Sequence, residues 1–371
     1  MNVMFKKYRI LKWVAIVFVS LIVVIVSFGF WFKSLIPPRD INVKSTLVQE
    51  LSYLSEDIVP TRGKILAVVT STDVMGNTDK STGYELSELA RAYYTFEANG
   101  FEVDIASPKG GNPPVVIDDE DMGVYDFAFL NDSIAQYKAS HTIKIEDVIA
   151  EDYKAIFFAG GKGAMFDFPN NKTIQTIVKN YYQNNKVIGA VCHGPAALVN
   201  VILDNGRPLL ANKKVSGFTN KEELLLIADA KSIFPFLLQD KIVEQGANFN
   251  EGAMYLEKIS HDKNLITGQN PWSTWKLAEH MVKQLGYTPK YRERTDEENA
   301  VQVLSAYKTN GKQKAKQMIE TLLVKEKKPV NRVLIAKHGI IAAMKGEVGQ
   351  FFNMIGLVSF AKNCEPKNKE I

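Results

Sequence analysis

Cysteine is scarce in this 371-residue chain: Cys192 and Cys364 are the only two, far apart, with no CxxC pair and no Cys/His spacing of a zinc site. A disulfide framework is therefore excluded, and no metal ligand set is expected. Charge of one sign is also lacking, since 45 Lys and Arg stand against 41 Asp and Glu for a net +4. Without a basic stripe interleaved with aromatics, nucleic acid is not an expected partner. Internal repeats and low-complexity tracts are missing too, which excludes solenoids and long disordered tails.

One long hydrophobic run is present. Trp13 to Phe32 (WVAIVFVSLIVVIVSFGFWF) carries no charge over 20 residues, the length a helix needs to cross the hydrocarbon core, and has tryptophans near both ends. A signal peptide is the rival reading, but its apolar region is shorter, and no small-residue cleavage site follows in GFWFKSLIPPRD. Lys6, Lys7, Arg9 and Lys12 precede the run, against Lys33 and Arg39 after it. The basic excess puts the N-terminus in the cytoplasm and the remaining chain outside the cell membrane, on a single-pass anchor.

The expected organisation is a basic flank (1–12), a transmembrane helix (13–32), a juxtamembrane linker broken by Pro37-Pro38 (33–62), a catalytic domain (63–290) and a helical C-terminal extension (291–371). Within 63–290, KILAVVTS, FEVDIAS, AIFFAG, VIGAV, KVSGF and NLITG are strand candidates with helical stretches between several of them, including one from Tyr84 to about Asn99. That alternation predicts an α/β fold: a doubly wound, mainly parallel sheet with helices on both faces. VLIA (333–336) is the only strand-like run in the extension. GIIAAMKGEVGQFFNMIGLVSF, from Gly339, is apolar but too short in its charge-free part, Val348 to Ala361, to span a bilayer. Docking onto the catalytic domain and an interfacial or partner-binding role both remain open for it.

Sites in such sheets form where strands turn into helices. In KVIGAVCHGPAALVN (186–200), Val187 to Val191 reads as the strand, Cys192 as the turn and Gly194 to Leu203 as the helix. Small residues on both sides, Ala190 and Gly194, suit a nucleophile elbow with cysteine in the serine position, where a helix N-terminus lowers the thiol pKa. A buried structural cysteine beside a surface histidine is the plain alternative. Thr82-Gly83-Tyr84-Glu85 fits a capping box, making Glu85 structural, whereas Glu88 lies beyond capping reach. Gly160 and Gly161 follow AIFFA with unobstructed N–H groups, fit for an oxyanion hole with that of His193. His141, His261, His280 and His338 have no ligand-like spacing and read as solvated or structural.

TGYELSELARAYYTFEANGFEVDIASPKGG (82–111), AGGKGAMFDFPNN (159–171), VCHGPAALVN (191–200), GRPLL and GFTNKEE (217–223) occur in an order that resembles the ThiJ/PfpI superfamily of class I glutamine amidotransferase-like proteins. The branch they resemble is that of heat-shock chaperone-like glyoxalases, over roughly residues 63–287. The resemblance implies a flavodoxin-like fold and a set of roles: Cys192 as nucleophile, His193 as its neighbour, Glu223 as the acid that orients His193, with Glu222 as fallback, and Glu88 as the carboxylate aimed at the sulfur. It implies glyoxalase III chemistry on a small 2-oxoaldehyde such as methylglyoxal, with no cofactor, no metal and no glutathione. Amide or peptide hydrolysis of an acyl substrate, and a non-enzymatic chaperone or oxidation sensor, remain as alternatives, and a homodimer is left open. The chain departs from the family at Lys162, where many members have histidine in Gly-Gly-His-Gly. A charged lysine cannot accept a hydrogen bond as a neutral histidine does.

Overall fold

The computed structural model describes residues 2–38 and 40–365, which leaves Met1, Arg39 and residues 366–371 outside the description. It divides into two compact units, one of residues 40–293 and one that joins residues 1–39 to residues 294–371. A single helix, Asn2–Leu35 (α1), occupies the N-terminus.

The larger unit is built on a seven-stranded sheet. In chain order its strands are Lys64–Val68 (β1), Glu102–Ser107 (β2), Ile143–Lys144 (β3), Tyr153–Phe158 (β4), Val187–Val191 (β5), Ile259–Asp262 (β6) and Leu265–Gly268 (β7). The spatial order is β6-β7-β5-β4-β1-β2-β3, parallel throughout except for the antiparallel edge pair β6/β7. Four of the five inner strands, β1, β4, β5 and β7, are largely apolar, and β5 and β7 are buried along their full length, as expected of a sheet covered on both faces. Each buried Val, Ile, Leu or Phe of these strands contributes roughly 1.5–3 kcal/mol.

Leu86–Ala98 (α2), Lys172–Gln183 (α3), Asn220–Leu226 (α4) and Thr274–Gln284 (α5) are among the helices around the sheet. α2 is buried over nearly all its length, from Leu86 to Phe96. The buried Arg91 guanidinium grips both oxygens of Asp126, at 3.2 and 2.8 Å, and so ties α2 to the helix Val124–Asn131.

Three local expectations fail for long-range reasons. The helix at 84 begins at Leu86, because Tyr84 and Glu85 pair as a short parallel strand with Val115 and Val116, and Glu85 makes no capping bond. KVSGF contributes only Lys214–Val215, paired with Asn248–Phe249 outside the main sheet. VLIA lies inside a helix, where its apolar residues face neighbouring helices. The segment after residue 39 also packs more tightly than a free linker: Lys44 pairs with Asp119 at 2.7 Å, Asn131 donates to the carbonyls of Lys44 and Thr46, and Tyr53 is buried.

The smaller unit is helical: Asp296–Asn310 (α6), Lys312–Glu320 (α7), Arg332–Met344 (α8) and Val348–Cys364 (α9) join α1. Thr295 and Glu298 form a capping box at the start of α6, and Asn331 caps α8 through the N–H of Leu334 at 2.9 Å. Leu304, Ile335, Leu357 and Val358 form its core. Within α1, Leu11–Leu35 is long and apolar enough to cross a membrane, and the described large side chains from Leu11 to Val24 and from Val26 to Trp31 are exposed.

Candidate active site

The site lies where β4 and β5 end. After Val191 the chain turns sharply at Cys192, whose φ of 58° is left-handed and rare for a residue with a Cβ, a strain of about 1–3 kcal/mol that the surroundings must hold. They hold it from both sides: the Cys192 N–H donates to Gly268 O at 3.0 Å, and Phe218 N–H donates to Cys192 O at 2.9 Å. This is the backbone of an elbow that lifts the Cys192 thiol off the end of the strand. The helix that follows is shorter than expected, a single 3-10 stretch from Gly194 to Leu198 in place of one reaching Leu203, because Val199 turns extended and Asn200 adopts φ 64°.

His193 is buried beside the thiol, with Nδ1 3.4 Å from Cys192 Sγ and Nε2 2.6 Å from Glu223 Oε2. An ionised Glu223 keeps the ring proton on Nε2 and leaves the Nδ1 lone pair facing the thiol, the orientation a base needs. Burial pushes the Glu223 carboxyl up, but the His193 ring and the Lys162 ammonium outweigh it and hold the pKa below the ordinary carboxylate value. Glu222, the fallback, has a different place. Its Oε2 accepts from Thr219 in a capping box, and its Oε1 accepts from Tyr255 N–H, Gln269 Nε2 and Asn270 Nδ2 at 2.7–3.0 Å. It fastens the loop around 250–270 to α4.

Glu88 arrives from the first turn of α2 and is fully buried. Its Oε2 accepts the Gly160 N–H at 2.6 Å, and its electrostatic coupling runs to the Cys192 thiol. A side chain at 160 would force its neighbours apart: a Cβ there would lie 2.6 Å from Glu88 Oε2, 2.8 Å from Cys192 Cβ and 2.8 Å from His193 N. Glycine is thus the condition for the thiol, the carboxyl and the His193 amide to converge on one point. The same bond corrects the expectation for Gly160, whose N–H is engaged by Glu88 and is not free for an oxyanion. The N–H groups of Gly161, at φ 99°, and His193 have no acceptor among the described residues and remain available.

Burial raises the Cys192 thiol well above its ordinary pKa, and the Glu88 carboxyl beside it adds to that. Glu88 is likewise pushed well up, by burial and then by the charge of Glu85. The elbow therefore does not lower the thiol pKa as a helix N-terminus alone would. The two groups hold protons in common, and a thiolate is compatible with the site only while Glu88 is protonated.

Glu85 is the site residue that sequence reasoning missed. Released from capping, it is half-buried at the N-cap of α2, and burial pushes its pKa to about 7 against the pull of Lys162. Its N–H donates to Gly160 O, the carbonyl of the residue that also holds Glu88. Lys162 is half-buried, and its charge acts on Glu85, Cys192 and Glu223 alike. Phe218 packs on the His193 ring at 4.6 Å and Phe234 at 6.4 Å, so the imidazole is walled by aromatics. Phe234 also lines an open cavity of about 390 Å³ with Gly76, Phe166 and Asp229. Among the described residues, no cluster of three or more His, Cys, Asp or Glu is arranged to hold a metal ion. His261 and His280 bond to nearby carbonyls and His141 stacks on Tyr137.

A doubly wound parallel sheet with a strained cysteine elbow, a histidine on the sulfur and a carboxylate on the histidine defines a class of α/β proteins built to present a nucleophilic thiol. A model of the DJ-1/PfpI family matches residues 80–284, and the chain belongs to that family. A probable glutathione-independent glyoxalase of Saccharomyces cerevisiae is 34% identical over 223 residues, which are 55% of this chain and 90% of that relative. Among solved structures, the 24 kDa rapid encystment protein of Francisella tularensis is similar at 39% identity with a TM-score of 0.57, over 60% of this chain and 99% of the other. Glyoxalase III of Candida albicans is similar at 30% identity with a TM-score of 0.55, over 60% and 97%. α1 and helices α6 to α9 lie outside the family match.

Proposed function

We propose that this protein is a membrane-anchored, cysteine-dependent glyoxalase of the glutathione-independent type, which converts 2-oxoaldehydes such as methylglyoxal to 2-hydroxy acids without a cofactor. The observation that carries the reading is the convergence of Cys192, His193 and Glu88 around Gly160, with Glu223 behind His193. Relatives named glutathione-independent glyoxalases and the Candida albicans glyoxalase III support the substrate class.

In this reading the thiol proton passes to His193 Nδ1 and the Cys192 sulfur adds to the aldehyde carbon, C1. The oxyanion formed there accepts from the N–H groups of Gly161 and His193. Glu88, protonated before the thiolate forms, gives its proton to that oxygen, and its carboxylate then takes the proton from C1 while the His193 imidazolium protonates the C2 oxygen; the resulting enediol receives the proton back from Glu88 at C2 as its C1 hydroxyl returns a proton to His193. The product is a thioester of the 2-hydroxy acid. Water hydrolyses it and returns the thiol, so the net change is addition of one water with no external oxidant or reductant. Lys162 and Glu85 stand at the edge of this site and set its charge.

Membrane attachment rests on the apolar length of Leu11–Leu35 and on the basic residues before it, with the N-terminus cytoplasmic and the catalytic unit outside. The test is turnover: the purified chain, supplied with methylglyoxal and a chelator but no glutathione, should release lactate. Release of ammonia or amine from amides in its place would favour the hydrolase alternative, and suppression of client aggregation with no turnover would favour the chaperone.

A further inference from the structure

The smaller unit carries an unpartnered apolar surface whose position along α1 identifies what covers it. Arg332 Nη1 donates to Leu35 O at 2.6 Å and Lys362 Nζ donates to Ser34 O at 2.6 Å, so the start of α8 and the end of α9 grip the C-terminal end of α1. From that grip the α8–α9 hairpin runs back alongside α1, and Phe351, in the first turn of α9, packs against Phe28 with ring centroids 6.5 Å apart. Phe28 lies four residues inside the apolar run that ends at Phe32, about 6 Å deep at ~1.5 Å per residue. The flank of the hairpin around Phe351 thus reaches the level of the boundary between headgroups and lipid chains if α1 spans the bilayer.

The side chains around the turn suit that depth. Ile340, Met344, Val348 and Phe352 are at least half exposed and cluster on its two flanks. Charged groups stand in and beside the turn: Lys345 and Glu347 pair within it at 2.6 Å; Lys308, at the end of α6, donates to Gln350 at 2.8 Å; and Lys312, which opens α7, reaches across α9 at Gly356. Apolar side chains on both flanks of a charged turn, with further lysines beside it, suit a segment that lies in the headgroup region, where apolar faces sink ~5–10 Å and long basic side chains reach phosphates.

We propose that the turn end of the α8–α9 hairpin inserts Ile340, Met344, Val348 and Phe352 into the outer part of the leaflet from which α1 emerges, with the neighbouring lysines on anionic headgroups. The proposal rests on the membrane reading of α1. It gives the helical unit a purpose of its own: a collar that fixes α1 at a second point and holds the unit against the bilayer surface.

Nitroxide labels on the full chain in vesicles of phosphatidylcholine and phosphatidylglycerol would test it. Single cysteines introduced by Met344→Cys, Phe352→Cys, Phe18→Cys and Glu326→Cys, in a Cys192→Ser/Cys364→Ser background, are compared for relaxation by oxygen and by a water-soluble nickel chelate. The labels at 344 and 352 should favour oxygen over the chelate several-fold more than that at 326, and approach the label at 18. A label at 352 that favours the chelate while 18 lies in lipid would overturn the insertion and leave the anchor standing. A label at 352 hidden from both agents would mean that protein covers the face, and this too would overturn it. Chelate access at 18 would remove the anchor and the insertion together.

Discussion

Gly160→Ala tests the geometry of the site with the smallest perturbation available, one methyl group. Ordinary contact for a Cβ begins at 3.4 Å, whereas this one would meet Glu88 Oε2 at 2.6 Å and both Cys192 Cβ and His193 N at 2.8 Å. The neighbours must therefore retreat by about 0.6–0.8 Å, and none is the loose end of a surface side chain. Two consequences can be separated. Overpacking of this kind costs ~1–3 kcal/mol, which for a unit of this size lowers Tm by ~2–4 °C per kcal/mol. Displacing the carboxyl or the thiol by a large fraction of an ångström costs up to ~10²-fold in rate, because both must meet one substrate carbon. Lactate formation from methylglyoxal by the detergent-solubilised chain, followed beside a thermal melt, reads both effects. A Gly160→Ala protein that folds with a modestly lowered Tm and loses about two orders of magnitude in kcat fits the account. One that keeps its rate within a factor of ~3 would refute the claim that these three groups act around this point.

Other substitutions divide the roles. Glu88→Gln should abolish turnover, since its amide cannot exchange a proton, and should leave Cys192 alkylation to follow the thiol's own ionisation without the coupled step that the carboxyl adds; an alkylation profile unchanged across pH would contradict the coupling. Glu223→Gln should approach a ~10⁴-fold loss in kcat, as its amide can donate to Nε2 and leave the ring proton facing the sulfur; a loss below ~10-fold would show that Glu223 only packs. Glu85 has its pKa raised from 4.5 to about 7, so the folded state holds a proton that the unfolded state has lost over that window. Its contribution to stability therefore falls as pH rises from 4.5 to 7, and Glu85→Gln should flatten the fall in Tm over that window; melts with unchanged pH dependence would place Glu85 in water.

Much of this was legible because the decisive groups sit next to local signals. Cys192 and His193 lie at a strand end flanked by small residues, and the sheet follows from apolar runs alternating with helical segments. Glu222 could have been set aside from the sequence: Thr219-x-x-Glu222 is itself a capping box, which leaves Glu223 for the histidine. Glu85 was misread by the same rule, since Thr82 to Glu85 has the spacing of a cap but Tyr84 and Glu85 are drawn into a pairing with residues 115–116. No local pattern announces that pairing. The use of the Gly160 N–H was equally invisible, because it depends on a carboxylate 72 positions earlier in the chain. The raised thiol pKa follows from burial against Glu88, which outweighs the small dipole of the five-residue 3-10 turn after it.

The central claim is that Cys192 carries a glutathione-independent, cofactor-free conversion of a 2-oxoaldehyde. The most direct measurement is lactate formed from methylglyoxal by the wild-type chain and by Cys192→Ala, both freed of metal by a chelator and assayed without glutathione, with matching melts to show that both fold. The account predicts steady lactate release by the wild type and none above the buffer rate by the variant. Lactate formation that survives the loss of Cys192 would contradict it.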